Sequence, residues 1–203
     1  MREMSALKQI HTQDCRCGKC YAKVMGHWID SLGAVTGPGH WQLFATITYS
    51  TVSPPWSRGF PIATPKPKPD FAHHLFDRFV LHLEAELLSR VDYVVADQFG
   101  AINGRFHEHA ILASPGLDNY SRRKIWQWLR EKAGWNRILP FMHGASYYIS
   151  RYIGRDANRC EWEVRVGQPW KSLPKAPVGR VVVVESAAMA RRFFKNSRTD
   201  RKR

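Results

Sequence analysis

Residues 91–113 read VDYVVADQFGAINGRFHEHAILA, two runs rich in β-branched and aromatic residues on either side of GAING. Such runs favour strands, and Asn103-Gly104 is the strongest short-range signal for a two-residue hairpin turn. The fold must therefore contain an antiparallel sheet. With Asn103 and Gly104 as the turn, Ile102 pairs with Arg105, His109 lies opposite Gln98, and His107 lies opposite Gly100. Side chains alternate across a strand, so His107, His109 and Gln98 share one face while Glu108 and Asp97 share the other. Two imidazoles so placed can grip one divalent ion, with Gln98 as third ligand, or Asp97 if a bulge shifts the register.

The rest of the chain supplies helices and further strands. HWQLFATITYS (40–50) alternates and reads as a buried strand, and the Pro-rich stretch 53–70, with Arg58, Lys66 and Lys68, reads as a long loop. Asp70 can cap a helix in which Phe71, Leu75, Phe79, Leu83 and Leu87 recur every four residues. A second helix is expected in LDNYSRRKIWQWLREKAGW, a short extended piece in RILPF, and a third helix in GASYYISRYIGRD. EWEVRVG and GRVVVVES read as later strands. This order predicts an α+β fold, an antiparallel sheet with helices packed on one face. Residues 1–40 read as an irregular, Cys-containing segment with room for one short helix, 41–190 as the main domain and 191–203 as a basic tail.

Charge narrows the partner. Lys and Arg outnumber Asp and Glu by 31 to 17, a net charge of +14, while 44% of residues are hydrophobic. A folded domain with added positive charge points to a polyanion. No run of eighteen apolar residues occurs and MREMSALKQIH lacks the apolar core of a signal peptide, so a soluble, cytoplasmic protein with no membrane partner is expected. Cys15, Cys17 and Cys20, clustered in CRCGKC, are candidates for a structural Zn2+ site, with His11, His27 or Cys160 as a fourth ligand.

In SYYISRYIGRD, Tyr148 and Tyr152 stand four residues apart on one helix face, with Arg151 and Arg155 adjacent. Tyrosines at this spacing are commonly core residues. A tyrosine hydroxyl can also attack a phosphodiester when a metal ion neutralises the developing charge. FATITY (44–49), GRFHEHAIL (104–112) and YYISRYIG (147–154), in that order, resemble the three motifs of the HUH endonucleases, in particular the rolling-circle replication initiator (Rep) proteins of plasmids and single-stranded DNA phages. The similarity spans about residues 41–156. The resemblance implies a five-stranded antiparallel sheet of the HUH/RRM-like kind. It also implies Mg2+ or Mn2+ on His107, His109 and Gln98, and attack by Tyr148 or Tyr152 on single-stranded or hairpin DNA to leave a 5′-phosphotyrosine. The host would be a prokaryotic or phage-infected cell that supplies helicase and polymerase. Between its histidines the family usually has a bulky hydrophobic residue where this chain has Glu108, and its third ligand is commonly Glu where this chain has Gln98.

Arg122, Arg123, Lys124, Arg151 and Arg155 are candidate phosphate contacts, joined by Arg191, Arg192 and Lys195 in the tail. Trp126 and Trp128 lie about 200° apart in helical rotation, so both cannot face the core. Trp126 is the candidate platform for a stacked base. Within the same chemistry an HUH-type transposase is a neighbouring reading. From another class come a non-catalytic single-stranded nucleic-acid-binding protein and a zinc-stabilised RNA-binding protein.

Overall fold

In the computed structural model, residues 17–49, 69–100, 106–142, 144–155 and 162–166 are described. The strand Phe106–Ala113 (β3) is buried at nearly every position because its neighbours lie on all sides. Leu43–Tyr49 (β1) and Asp92–Phe99 (β2) pair with it on its two edges. Gly134–Pro140 (β4) extends the sheet beyond β1, and Trp162–Arg165 (β5) extends it beyond β2. The result is a five-stranded sheet in the order β4-β1-β3-β2-β5, antiparallel throughout. Four helices, Gly18–Gly33 (α1), Pro69–Leu87 (α2), Arg122–Lys132 (α3) and Ala145–Arg155 (α4), complete an α+β fold.

The helices were expected on one face and lie on both. Phe76, Phe79 and Leu83 of α2 and Ile125 and Leu129 of α3 pack against Ala45, Val95, Ala110 and Leu112. Met25, Ile29 and Leu32 of α1 and Ile149 and Ile153 of α4 pack against Val94, Ala96, Ile111 and Val164 on the other side. The unbroken apolar run Ala110-Ile111-Leu112-Ala113 requires this, since consecutive strand residues point to opposite faces and each face must then be covered.

Within residues 1–40, where at most one short helix is expected, residues 18–33 form the 16-residue helix α1. Ala22, Met25, Ile29 and Leu32 recur at helical spacing and are all fully buried, so this segment belongs to the same core as the sheet. Trp41 fixes its end by donating from Nε1 to the Ile29 carbonyl at 2.8 Å. A Cβ on Gly33 would come within 2.7 Å of that indole. Asp70 lies inside the first turn of α2 rather than at its cap. The helix starts on Pro69, a residue suited to that position because its φ is already helical and it has no N–H to leave unbonded.

The β2–β3 register differs from the two-residue turn by two positions. Gln98 pairs with His107 and Phe99 with Phe106, so residues 100–105 make the connection, of which 101–105 lie outside the described residues. A shift of two preserves the face on which each side chain points. The predicted strand 179–186, the loop 53–68 and the tail 191–203 also lie outside the described residues.

Small residues bring α1 and α4 together. A Cβ on Gly26 would meet the Tyr147 backbone at 3.2 Å, and the Ser150 hydroxyl donates to the Ala22 carbonyl at 2.7 Å. Ser146 donates to Asp30 at 2.5 Å. Backbone against backbone leaves no flexible group to give way, so Gly26→Val should lower the unfolding free energy by roughly 1–3 kcal/mol. Val24→Ala, an exposed change on the same helix, should stay within about 0.5 kcal/mol. Equal urea midpoints for the two variants would contradict this packing.

Candidate functional site

Alternation along β3 aims His107 and His109 at the α1/α4 layer, and the register sets Gln98 beside them. Gln98 Oε1 lies 2.5 Å from His107 Nε2 and 2.6 Å from His109 Nε2. The other nitrogen of His109, Nδ1, is 3.1 Å from the Thr46 hydroxyl on β1, the direct cross-strand partner of His109. Burial, reinforced by the neighbouring His107 ring, holds the His109 pKa down to about 3. The ring is therefore neutral at pH 7 and keeps one nitrogen lone pair. Two imidazole nitrogens and an amide oxygen converging on one point form a donor set of the kind that can hold a divalent ion.

Helix α4 lays its tyrosine pair over this point. Tyr152 stacks on His109 with ring centroids 4.8 Å apart, and Tyr148 meets the same ring edge-on at 5.2 Å. The two tyrosine rings are 5.0 Å apart, and Phe44 stacks on His109 at 5.9 Å. Tyr148 is 40% exposed, whereas Tyr152 is half-buried. Tyr147 is exposed as well, but its backbone backs onto Gly26 of α1. A cavity of about 300 Å³ opens beside Tyr148, lined by Phe44, Thr46, Arg137, Leu139 and Met142.

The other predicted residues are distributed differently. Arg122, Arg123, Lys124 and Trp126 are exposed on α3, which packs on the face away from the histidines. Trp128 packs on Phe79 and stacks on His82, so the two tryptophans divide between surface and core. Arg151 is exposed on α4; for Arg155 only the backbone is described. Cys17 and Cys20 are partly buried at the start of α1, and Cys15 lies outside the described residues.

Asp97, the alternative to Gln98, points to the opposite face. There it pairs across the strands with Glu108, and His73 of α2 reaches it with Nε2 at 3.0 Å. His73, Asp97 and Glu108 form a group that could hold a metal ion. Burial raises the Glu108 pKa to about 8, with His73 opposing the rise and Asp97 adding to it. Tyr49 donates a hydrogen bond to Glu108 Oε2.

Sequence reasoning assigned no role to Thr46, His73, Trp135 or Arg137. Trp135 and Arg137 pair with Thr48 and Thr46, so alternation places them on the histidine face of β4. The signal for His73 was its place on the buried stripe of α2, three residues before Phe76 and seven before Val80.

No family model, curated protein or solved structure matches the chain.

The depressed pKa of His109 has a thermodynamic consequence. The unfolded chain binds a proton at this ring near pH 6.5 and the folded chain near 3, so the stability from a neutral buried ring is present above 6.5 and lost as pH falls towards 3. In chelator, the stability difference between the wild type and His109→Asn should shrink by about 1.4 kcal/mol per pH unit within that window. A difference that stays constant from pH 7 to pH 4 would place His109 in water.

Proposed function

We propose that this chain is a metal-dependent enzyme that nicks and joins single-stranded DNA, of the HUH endonuclease type, and that it serves as a rolling-circle replication initiator. One observation carries the reading. An exposed tyrosine, Tyr148, stands edge-on to His109, whose Nε2 converges with that of His107 on the Gln98 side-chain oxygen. A cation on these three donors would withdraw charge from the phosphoryl oxygens of the scissile nucleotide. The mixed nitrogen and oxygen set suits Mn2+ better than Mg2+, which favours oxygen ligands.

The chain's own groups do the remaining work. With a cation on Nε2, the Nδ1–H of His109 would donate to the Thr46 hydroxyl, which orients the ring. The Tyr148 hydroxyl gives up its proton as its oxygen attacks phosphorus, the bond from phosphorus to the 3′ oxygen breaks, and the departing 3′ oxygen takes up a proton, so no net proton is gained or lost. The products are a 5′-phosphotyrosine and a free 3′-hydroxyl, the end that a polymerase extends. Tyr152, stacked on His109 one helical turn away, is placed for a second cleavage. Its oxygen takes the new 5′ phosphate, and the 3′-hydroxyl so freed attacks the Tyr148 phosphodiester and releases the first tyrosine.

A DNA strand has a path to this point across β1 and β4. Trp135 is 52% exposed, Arg137 is exposed, and both face the histidine side. An aromatic platform beside a cation suits single-stranded nucleic acid, and the net charge of +14 supplies the long-range attraction. Helicase and polymerase from the host would complete the replication cycle. Among the described residues no helix is long and apolar enough to cross a membrane.

Incubation with labelled single-stranded oligonucleotides and Mn2+ should give a covalent protein–DNA adduct on denaturing electrophoresis. Tyr148→Phe should abolish it, and Tyr152→Phe should retain the first cleavage but stall joining. Nicking by the double variant without attached protein would show that water, not tyrosine, attacks. Binding alone, with no adduct and no nick under any metal, would leave a nucleic-acid-binding module.

The path predicts a contrast between two tryptophans. Trp135→Ala should weaken binding of a single-stranded oligonucleotide by about 1–3 kcal/mol, the usual worth of one stacked base, and Trp126→Ala on α3 should weaken it less. The reverse order, measured by fluorescence anisotropy at one salt concentration, would move the DNA to the other face.

A further inference from the structure

On the α2 side of β2 and β3, behind the histidine pair, lies a group of side chains of metal-ligand type that the proposed nuclease chemistry does not use. Asp97 and Glu108 are direct cross-strand partners, so their carboxylates stand side by side on one face. Like charges so placed repel, and burial makes the repulsion stronger. Asp97 is only 4% exposed and Glu108 only 1%. Helix α2 lays His73 across the pair, with Nε2 3.0 Å from Asp97 Oδ2 and 3.8 Å from Glu108 Oε1. One ligand atom from each of the three residues lies within 4.8 Å of the others.

We infer that His73, Asp97 and Glu108 bind a divalent cation of the Zn2+ class, in a structural site that ties α2 to the two central strands. Ligand bonds of about 2.0–2.1 Å in tetrahedral geometry separate ligand atoms by roughly 3.4 Å. The spacings of 3.0 and 3.8 Å from His73 fall on either side of that value. Two carboxylates and a neutral imidazole around a divalent ion sum to zero charge, which suits a buried position. The glutamate is also already oriented. Tyr49 donates to its Oε2, which leaves Oε1, the oxygen nearer His73, turned towards the other two ligands. Ca2+ is disfavoured because it takes six to eight oxygen ligands. Entry is from the His73 side, where that side chain is 25% exposed.

The test does not involve DNA, so it stands apart from the nuclease reading. The full chain carrying His107→Ala and His109→Ala, stripped with chelator, is loaded with Zn2+, passed over a desalting column and assayed for bound metal by mass spectrometry. Adding Asp97→Asn to that background should remove one equivalent of Zn2+ per chain and lessen the rise in melting temperature that Zn2+ gives. His73→Gln, a change at the partly exposed ligand, should do the same should Asp97→Asn fail to fold. Because the result is a difference between variants, Zn2+ held by the cysteines does not affect it. Equal Zn2+ content in folded variants with and without these ligands would overturn the site, leaving His73 hydrogen-bonded to Asp97 beside Glu108.

Discussion

Everything about the site depends on the placement of β3 in the middle of the sheet. Hydrogen-bonded to β1 on one edge and β2 on the other, this strand cannot rotate about its own axis, so alternation alone decides where each side chain goes. His107 and His109 go to the face of α1 and α4, and Glu108 goes to the face of α2 and α3. Each position then draws a partner from β2, Gln98 on the first face and Asp97 on the second. A slip of one residue would exchange the two sets and put a carboxylate where the imidazoles stand. Pairing along both edges, with Glu108 and His109 each buried among its own partners, makes that slip costly.

The second constraint is the contact of α1 with α4. The proposed chemistry requires the tyrosine helix to be held to within a fraction of an ångström, and loops rarely do this. Here Gly26 lets the two backbones approach, and Ser146 and Ser150 each donate a hydrogen bond across the gap. Below, Ile149 and Ile153 of α4 anchor in the same cluster as Val94 and Ile111 of the sheet. Tyr148 and Tyr152 are thus fixed from two sides, and the polar ring of His109 is enclosed by aromatic faces.

Much of this was legible in the sequence because strand alternation and helical spacing are local rules. His107, His109 and Gln98 were assigned to one face from their parity, and that survived a register two residues away from the one a short turn implies. The register itself was not legible, since the residues of the connection do not fix its length. The length of helix α1 and its part in the core were masked by the polar, cysteine-bearing residues before it, although Ala22, Met25, Ile29 and Leu32 carry a helical stripe. Coverage of both faces was written in Ala110-Ile111-Leu112-Ala113. The positions of Trp135 and Arg137 beside the histidines, and of the α3 cations away from them, come from the order of strands in the sheet. No local pattern carries that order.

In the proposed reaction a tyrosine of α4 becomes covalently bonded to DNA, and trypsin separates the two candidates. Cleavage after Arg137 and Arg151 places Tyr147 and Tyr148 in one peptide, ILPFMHGASYYISR, and cleavage after Arg155 places Tyr152 in another, YIGR. Wild-type protein incubated with single-stranded DNA and Mn2+, treated with nuclease and then trypsin, should yield the first peptide with the added mass of a nucleotide phosphate on Tyr148 by fragmentation mass spectrometry. Cut DNA with neither peptide modified would contradict the account.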